Sequence, residues 1–283
     1  MRPERSTGMR FPAARPALRC VADVGAMPED LKGSVMLLGN FDGFHLGHRM
    51  LLAAAKEHAL LSGRPIGVMS VEPHPKQFFA PQCAPFRLST LATKKEIFAR
   101  LGVDFIYGPR FDRTFAGQEA EQFVETVLAQ GLAVSRVVVG PNFRFGRERR
   151  GDVELLRRLG ERHGFELTCV GEFTQAGAAC SSTRVRERLA KGDIGAANVL
   201  LGRAWSVEID RLPKTGQGEI SWPEAVLQPA CGSYVVALRR ANDARVLSFG
   251  RLTISEAGPV RLALNGPAGA EETPLFLDFL ARA

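Results

Sequence analysis

Gly39-Asn40-Phe41-Asp42-Gly43-Phe44-His45-Leu46-Gly47-His48 separates an apolar run at residues 34–38 from a helical pattern over residues 49–61. A buried strand that passes through a glycine-bearing turn into a helix leaves free backbone N–H groups facing one point. The positive end of the helix dipole faces the same point, which suits a phosphate. With a helix starting near Leu46, His45 and His48 stand at its mouth, three residues apart. Imidazoles placed there can donate to phosphate oxygens and stabilise charge that grows during a phosphoryl-type transfer. The alternatives are a purely structural pair or a zinc pair. Zinc needs three or four ligands, and no third Cys or His lies at a helpful spacing. For Asn40 and Asp42 two readings stay open, turn hydrogen bonds or substrate contact.

Outward from this stretch, short apolar runs alternate with amphipathic helical patterns. Strands are expected at residues 35–38, 66–71, 105–107, 137–140 and 167–170, and helices at 46–61, 93–101, 120–130, 152–163, 183–190 and 194–201. Such alternation, with nearly continuous Val/Ile/Leu strands, predicts an α/β fold with a Rossmann-like, doubly wound parallel sheet. Ligands of such sheets bind beyond the carboxyl ends of the strands, near a switch point. After Gly202 the pattern changes to short β-like runs at 205–209, 234–238, 246–248 and 260–264, separated by Gly, Pro and Asn. A small, mainly β C-terminal domain is expected there, with a boundary near 203–212. The expected organisation is therefore a flexible basic leader over 1–19, an α/β domain over 20–203 and a β-rich domain over 204–283.

Composition narrows the classes. At 283 residues and 45% apolar content the chain can build one large or two modest cores. No apolar run approaches the roughly 18–20 residues of a spanning helix, and the Arg- and Pro-rich start lacks the apolar segment of a secretory signal. Met9 is an alternative start. Residues 1–19 hold five Arg and one Glu, so +4 of the +7 net charge lies in the leader. Nucleic acid is therefore not an expected partner. The five cysteines are dispersed, with no CxxC pair. A reducing cytoplasm without a disulfide framework fits them.

Three further segments carry chemistry. Glu72-Pro73-His74-Pro75 follows the second strand as an exit loop stiffened by two prolines. In the run 137–151, Asn142 can hydrogen-bond a base, ribose or phosphate, and Phe143 and Phe145 can wall an aromatic ligand or simply fill the core. Ser181, Ser182 and Thr183 open a helix and are suited to cap it. With Arg184 and Arg186 behind them they also form a cradle for phosphates.

These motifs resemble the HxGH nucleotidylyltransferases, and within them the FAD synthetase module of bacterial bifunctional riboflavin kinase/FAD synthetases, which carries GNFDGxHxGH. The resemblance runs from about Met36 to Trp205, with four motifs in the family's order. It implies transfer of AMP from ATP to FMN, giving FAD and pyrophosphate with Mg²⁺. His45 and His48 would act on the α-phosphate, Asn142 on the nucleotide or metal, and Arg186 on the triphosphate. ATP contacts would come from Gly39, Asn40, Phe41, Asp42, Gly47, Ser181, Ser182 and Thr183, in which the family's SSTxxR pattern clamps the β- and γ-phosphates. The EPHP run Glu72, Pro73, His74 and Pro75 and the NFxFG residues Phe143 and Phe145 would hold the flavin. Residues 111–123 (FDRTFAGQEAEQF) resemble a mobile family segment near the flavin. Ser70-Val71 replaces the usual Thr-Phe, and Cys180 replaces an aliphatic residue.

The resemblance continues briefly into the kinase module, where Gly202–Glu208 resembles GRxYSxEG, and then stops. The GxxLGFPTAN run that holds ATP and Mg²⁺ in that module is absent, and residues 212–232 read LPKTGQGEISWPEAVLQPACG. The expectation is a shortened, riboflavin-kinase-like barrel without kinase activity. A non-catalytic flavin or nucleotide sensor, and an HxGH transferase with another phosphorylated acceptor, are the alternatives. Neither the oligomeric state nor the metal ligands follow from the sequence.

Overall fold

Val35, Met36, Leu37 and Leu38 are all buried to within 2% of complete. A strand apolar on both faces needs a cover on both faces, and the surrounding chain supplies two. The computed structural model describes residues 17–175, 177–213, 215–241, 243, 245–256, 258–266 and 274–283. In chain order it forms β1 (Arg19–Val21), β2 (Val35–Leu38), α1 (Leu46–Ser62), β3 (Ile66–Met69), α2 (Pro75–Phe79), α3 (Leu91–Arg100) and β4 (Phe105–Tyr107). There follow α4 (Arg113–Ala116) and α5 (Ala120–Gln122), the latter widening into a π-helix over Phe123–Gly131. Next come β5 (Arg136–Val139), α6 (Val153–His163) and β6 (Glu166–Cys169). A small hairpin of β7 (Thr174–Gln175) and β8 (Ala178–Ala179) leads to α7 (Ser182–Ala190) and α8 (Ile194–Leu201).

Strands β1 to β6 form one parallel sheet in the order β1-β4-β3-β2-β5-β6. Because side chains alternate along a strand, Val35 and Leu37 join α1 and α3 in one core. Met36 and Leu38 join the π-helix and α6 in the other. The chain leaves β2 toward β3 and β4, then returns to place β5 on the opposite side of β2. The switch point therefore lies between β2 and β5, beyond Leu38 and Val139, where ligands of such sheets bind.

The second layer comprises β9 (Trp205–Ile209), β10 (Gln217–Ile220), β11 (Gly232–Arg240), β12 (Val246–Ile254), β13 (Val260–Leu264) and β14 (Leu275–Arg282). These pair antiparallel in the order β10-β13-β12-β11-β14-β9, an open half-barrel. Its core includes Trp205, Tyr234 and Phe279, and continues into α7, α8 and Leu88. The two layers are stitched by residues 86–88. Arg87 exchanges backbone hydrogen bonds with Ala225 and Leu227, and the Trp205 indole donates to the Leu88 carbonyl at 2.9 Å.

Several elements differ from the sequence expectation. Of the leader, residues 1–16 lie outside the described residues, while Arg19 opens β1 and pairs with Phe105. Strand β3 stops at Met69, two residues early, although the Ser70 N–H still donates to Tyr107 at 3.0 Å. Helix α2 starts at Pro75, the last residue of the stretch read as an exit loop, because Pro75 at the first helical turn has no N–H to leave unpaired. β10 and β14 were not foreseen in the sequence pattern.

Candidate functional site

Helix α1 begins at Leu46 with His45 as its N-cap residue. The turn before it is tight: Phe41, Gly43 and Phe44 have φ of 47°, 78° and 44°. Glycine is required at the middle position, where an added Cβ would lie 2.6 Å from Leu88 Cδ1. The two phenylalanines hold the left-handed conformation because both rings are buried, each edge-on to Phe98. This packing sets the histidines. The His45 and His48 rings stack with centroids 3.7 Å apart, and Phe41 backs His48 at 5.1 Å. Nδ1 of both rings is buried without a hydrogen-bond partner among the described residues. Packing, not hydrogen bonding, therefore orients the pair.

Electrostatics keep them neutral. Burial pushes His45 down to about 4, opposed by Asp42 and reinforced by Arg186. Burial, then the neighbouring His45 and Lys94, holds His48 well below the ordinary imidazole range. At neutral pH each ring thus carries a single N–H donor.

Two cavities meet at this turn. One, of about 280 Å³, lies beyond β2, β5 and β6; it is lined by His45, Gly47, His48, Asn142, Glu172 and Ser181, with Phe41 as floor. Gly47 keeps it open, since a Cβ there would sit 3.1 Å from the His45 ring and 3.2 Å from the Cys180 carbonyl. The other, of about 470 Å³, is an aromatic slot bounded by Val71, His74, Phe79, Phe111, Phe115, Phe143 and Phe145, with Lys76, Arg144 and Arg149 at its charged margin. Phe143 and Phe145 stack 5.6 Å apart at 15°. Gly39 and Phe143 line both cavities and form their common wall.

The remaining residues singled out in the sequence divide into lining groups and supports. Asn40 and Pro75 line the aromatic slot. Asn142 donates from Nδ2 to Glu172 Oε1 at 2.6 Å. His74 caps α2, accepting from the Lys76 N–H at 3.1 Å, and burial pushes it down to about 4. Asp42 lines neither cavity. Its carboxylate accepts from the N–H groups of Leu88 and Ser89 and from Arg186 Nη2 at 2.8 Å. Arg186 also donates to the Phe86 carbonyl at 2.8 Å, and Ser182 Oγ donates to the Asp42 carbonyl at 2.8 Å. The Asp42 oxygens, read in the sequence as ATP contacts, are thus engaged within the protein, where they support the turn. The clamp residues Ser182 and Arg186 are tied to that support, and Thr183 is exposed beside them. Glu72 likewise faces away from the slot: it pairs with Arg87 through two hydrogen bonds of 2.6 Å and lies 3.8 Å from the buried Lys94. Pro73 lines neither cavity.

Sequence reading missed Glu172, Phe79 and the supports Arg87 and Lys94. Glu172 had a usable signal, standing just beyond β6 at the carboxyl edge of the sheet. Lys94 had none, since a helical lysine reads as exposed until Ser70 Oγ is found 3.0 Å from its Nζ.

A parallel sheet with a phosphate-suited helix mouth at its switch point, and an aromatic slot alongside, defines a Rossmann-like α/β protein built to take a phosphate-bearing ligand. A family model described as FAD synthetase matches residues 27–184, more than half of the chain, and the chain belongs to that family. The bifunctional riboflavin kinase/FMN adenylyltransferase of Escherichia coli (strain K12) is 38% identical over 190 residues, covering 67% of this chain and 60% of the relative. Its counterpart from Pseudomonas fluorescens is 38% identical over 176 residues, covering 62% and 56%. The chain thus spans about 60% of the length of the first of these relatives. A solved structure described as a macrolide-efflux protein from Streptococcus pneumoniae is similar with a TM-score of 0.79 at 20% identity. That likeness covers 95% of this chain and 91% of the other, and it establishes the fold alone. No described helix is long and apolar enough to cross a membrane.

Proposed function

We propose that the chain is an FMN adenylyltransferase that works in the cytoplasm, converting ATP and FMN to FAD and pyrophosphate, and that it does not phosphorylate riboflavin. The observation that carries this reading is the common wall of Gly39 and Phe143. It sets a phosphate-suited cavity against a slot whose stacked phenylalanines suit an isoalloxazine ring. In the reaction an FMN phosphate oxygen attacks the α-phosphorus of ATP. The bond from that phosphorus to the bridging oxygen breaks, and pyrophosphate leaves with the electron pair. No covalent nucleophile is needed. His45 and His48, neutral and with unclaimed hydrogen-bonding capacity, donate to the α-phosphate as charge builds. Ser181 and the start of α7 face the leaving phosphates, and the Asp42–Arg186 network holds that helix against the turn.

Among the described residues no group of three or more His, Cys, Asp or Glu could hold a metal. Asn142 and Glu172 are the residues whose oxygens would hold a Mg²⁺ brought with the triphosphate, and what it would supply there is neutralisation of charge on the phosphates. The missing GxxLGFPTAN run supports the absence of kinase activity. Incubation of purified protein with ATP and Mg²⁺, with FMN or riboflavin, followed by flavin chromatography and pyrophosphate assay, tests all of this. FAD from FMN with no FMN from riboflavin is expected. FMN made from riboflavin would overturn the kinase statement. Bound FMN without FAD would replace the enzyme by a sensor.

A further inference from the structure

A third cavity, of about 250 Å³, lies where α1, α3 and residues 202–204 meet β9, β11 and β14. It shares no lining residue with the two cavities of the candidate site. Its lining brings together four guanidinium groups, Arg49, Arg100, Arg203 and Arg239, and two carboxylates, Glu96 and Asp278. Two positive charges are left in excess.

The carboxylates serve one of the cations best. Arg239 donates to Glu96 at 2.7 Å and to Asp278 at 2.8 Å, whereas Arg100 comes only within 3.7 Å of Glu96. The other two arginines turn to neutral carbonyls: Arg49 to Gly202 at 3.1 Å, and Arg203 to Ala204 and Gly43 at 2.7 and 2.8 Å. Carbonyls satisfy N–H groups without cancelling charge. Nε of Arg203 is buried and has no partner among the described residues, so this guanidinium is not fully satisfied by the protein. Burial pushes Arg203 down to about 10, with Asp278 opposing and Arg239, Arg49 and Arg100 adding to the fall.

We propose that this cavity binds a small phosphate dianion, held by Arg49, Arg100 and Arg203. The planar fork of a guanidinium matches phosphate oxygens, and a dianion cancels the excess charge. The volume is smaller than the roughly 300–1,000 Å³ of pockets that enclose drug-sized ligands. It therefore suits an inorganic phosphate or diphosphate and not a whole nucleotide. The inference stands independently of the transferase reading.

Equilibrium dialysis of the full chain against radiolabelled phosphate, and separately pyrophosphate, is the test. Arg100→Gln or Arg49→Gln is expected to weaken one class of bound anion by about tenfold, the effect of losing one charge-assisted hydrogen bond. The double variant is expected to lose that class entirely, with near-UV circular dichroism and FAD formation unchanged. Tenfold tighter binding of one probe identifies which of the two anions the cavity takes. Equal binding by wild type and the double variant would overturn the proposal. So would loss of all bound anion in His48→Ala with none lost in the arginine variants, since the anion would then sit in the candidate site.

Discussion

Replacing Asp42 by Asn tests whether the turn is held by charge. The carboxylate is 2% exposed, and it receives donors from Leu88, Ser89 and Arg186. Asn keeps the shape but offers one acceptor oxygen and an NH₂ group, so at least one donor must face another donor. Arg186 also loses its counter-ion. Breaking a buried ion pair from one side costs about 3–5 kcal/mol. The Arg186 side chain is 27% exposed, so solvent screening brings the expectation to about 3 kcal/mol. For a chain of this size that is a fall in melting temperature of about 6–12 °C. Urea titration of Asp42→Asn, Arg186→Met and the double variant measures the pair itself. The double variant should be less destabilised than the sum of the singles by about 2 kcal/mol. Additivity within about 0.5 kcal/mol would refute the argument, because it would mean that the two side chains do not sense each other.

His48→Ala should lower the turnover of FMN to FAD by about 10²–10³, with ATP affinity nearly kept, since its donor matters most as charge develops; equal losses in both would reduce the residue to a binding group. For His45 and His74 the folded values of about 4 lie below the unfolded 6.5, so the unfolded chain takes up protons first on acidification. Stability is full above pH 6.5 and falls as pH drops toward 4. Between pH 7 and 5 the loss should be about 2 kcal/mol for each of these two histidines in urea titrations, and a flat profile would count against their burial. Trp205→Phe should cost about 1–3 kcal/mol by leaving the Leu88 carbonyl unpaired. It should also raise the ATP concentration needed for half-maximal rate, because Leu88 and Ser89 brace Asp42; unchanged kinetics would separate the two layers functionally.

The parallel sheet was legible because β2 to β6 are compact apolar runs set apart by helical periodicity, and the mouth of α1 because its glycines and histidines fall within ten residues. What the sequence hid depends on distance along the chain. Asp42 meets Arg186 across 144 positions, and nothing local to either tells a phosphate contact from an internal pair. Phe41 shows the same limit: nothing local to it tells that its ring both packs behind His48 and floors the smaller cavity. Strand β1 escaped because three residues of mixed polarity carry no period. Strand β14 had an apolar pattern, but only its pairing between β11 and β9 turns that pattern into a strand.

The strap at residues 86–88 bears on how this protein can be divided in the laboratory. The family-matched span 27–184 ends inside α7, three residues into the helix. An excised piece with those limits would lack Arg186, Trp205 and Ala225, each of which holds the strap from outside. Recombinant fragments drawn to the family limits are therefore poor stand-ins for the full chain. A chimera that swaps the half-barrel for that of a relative must carry over the partners of Phe86, Arg87 and Leu88 together with it.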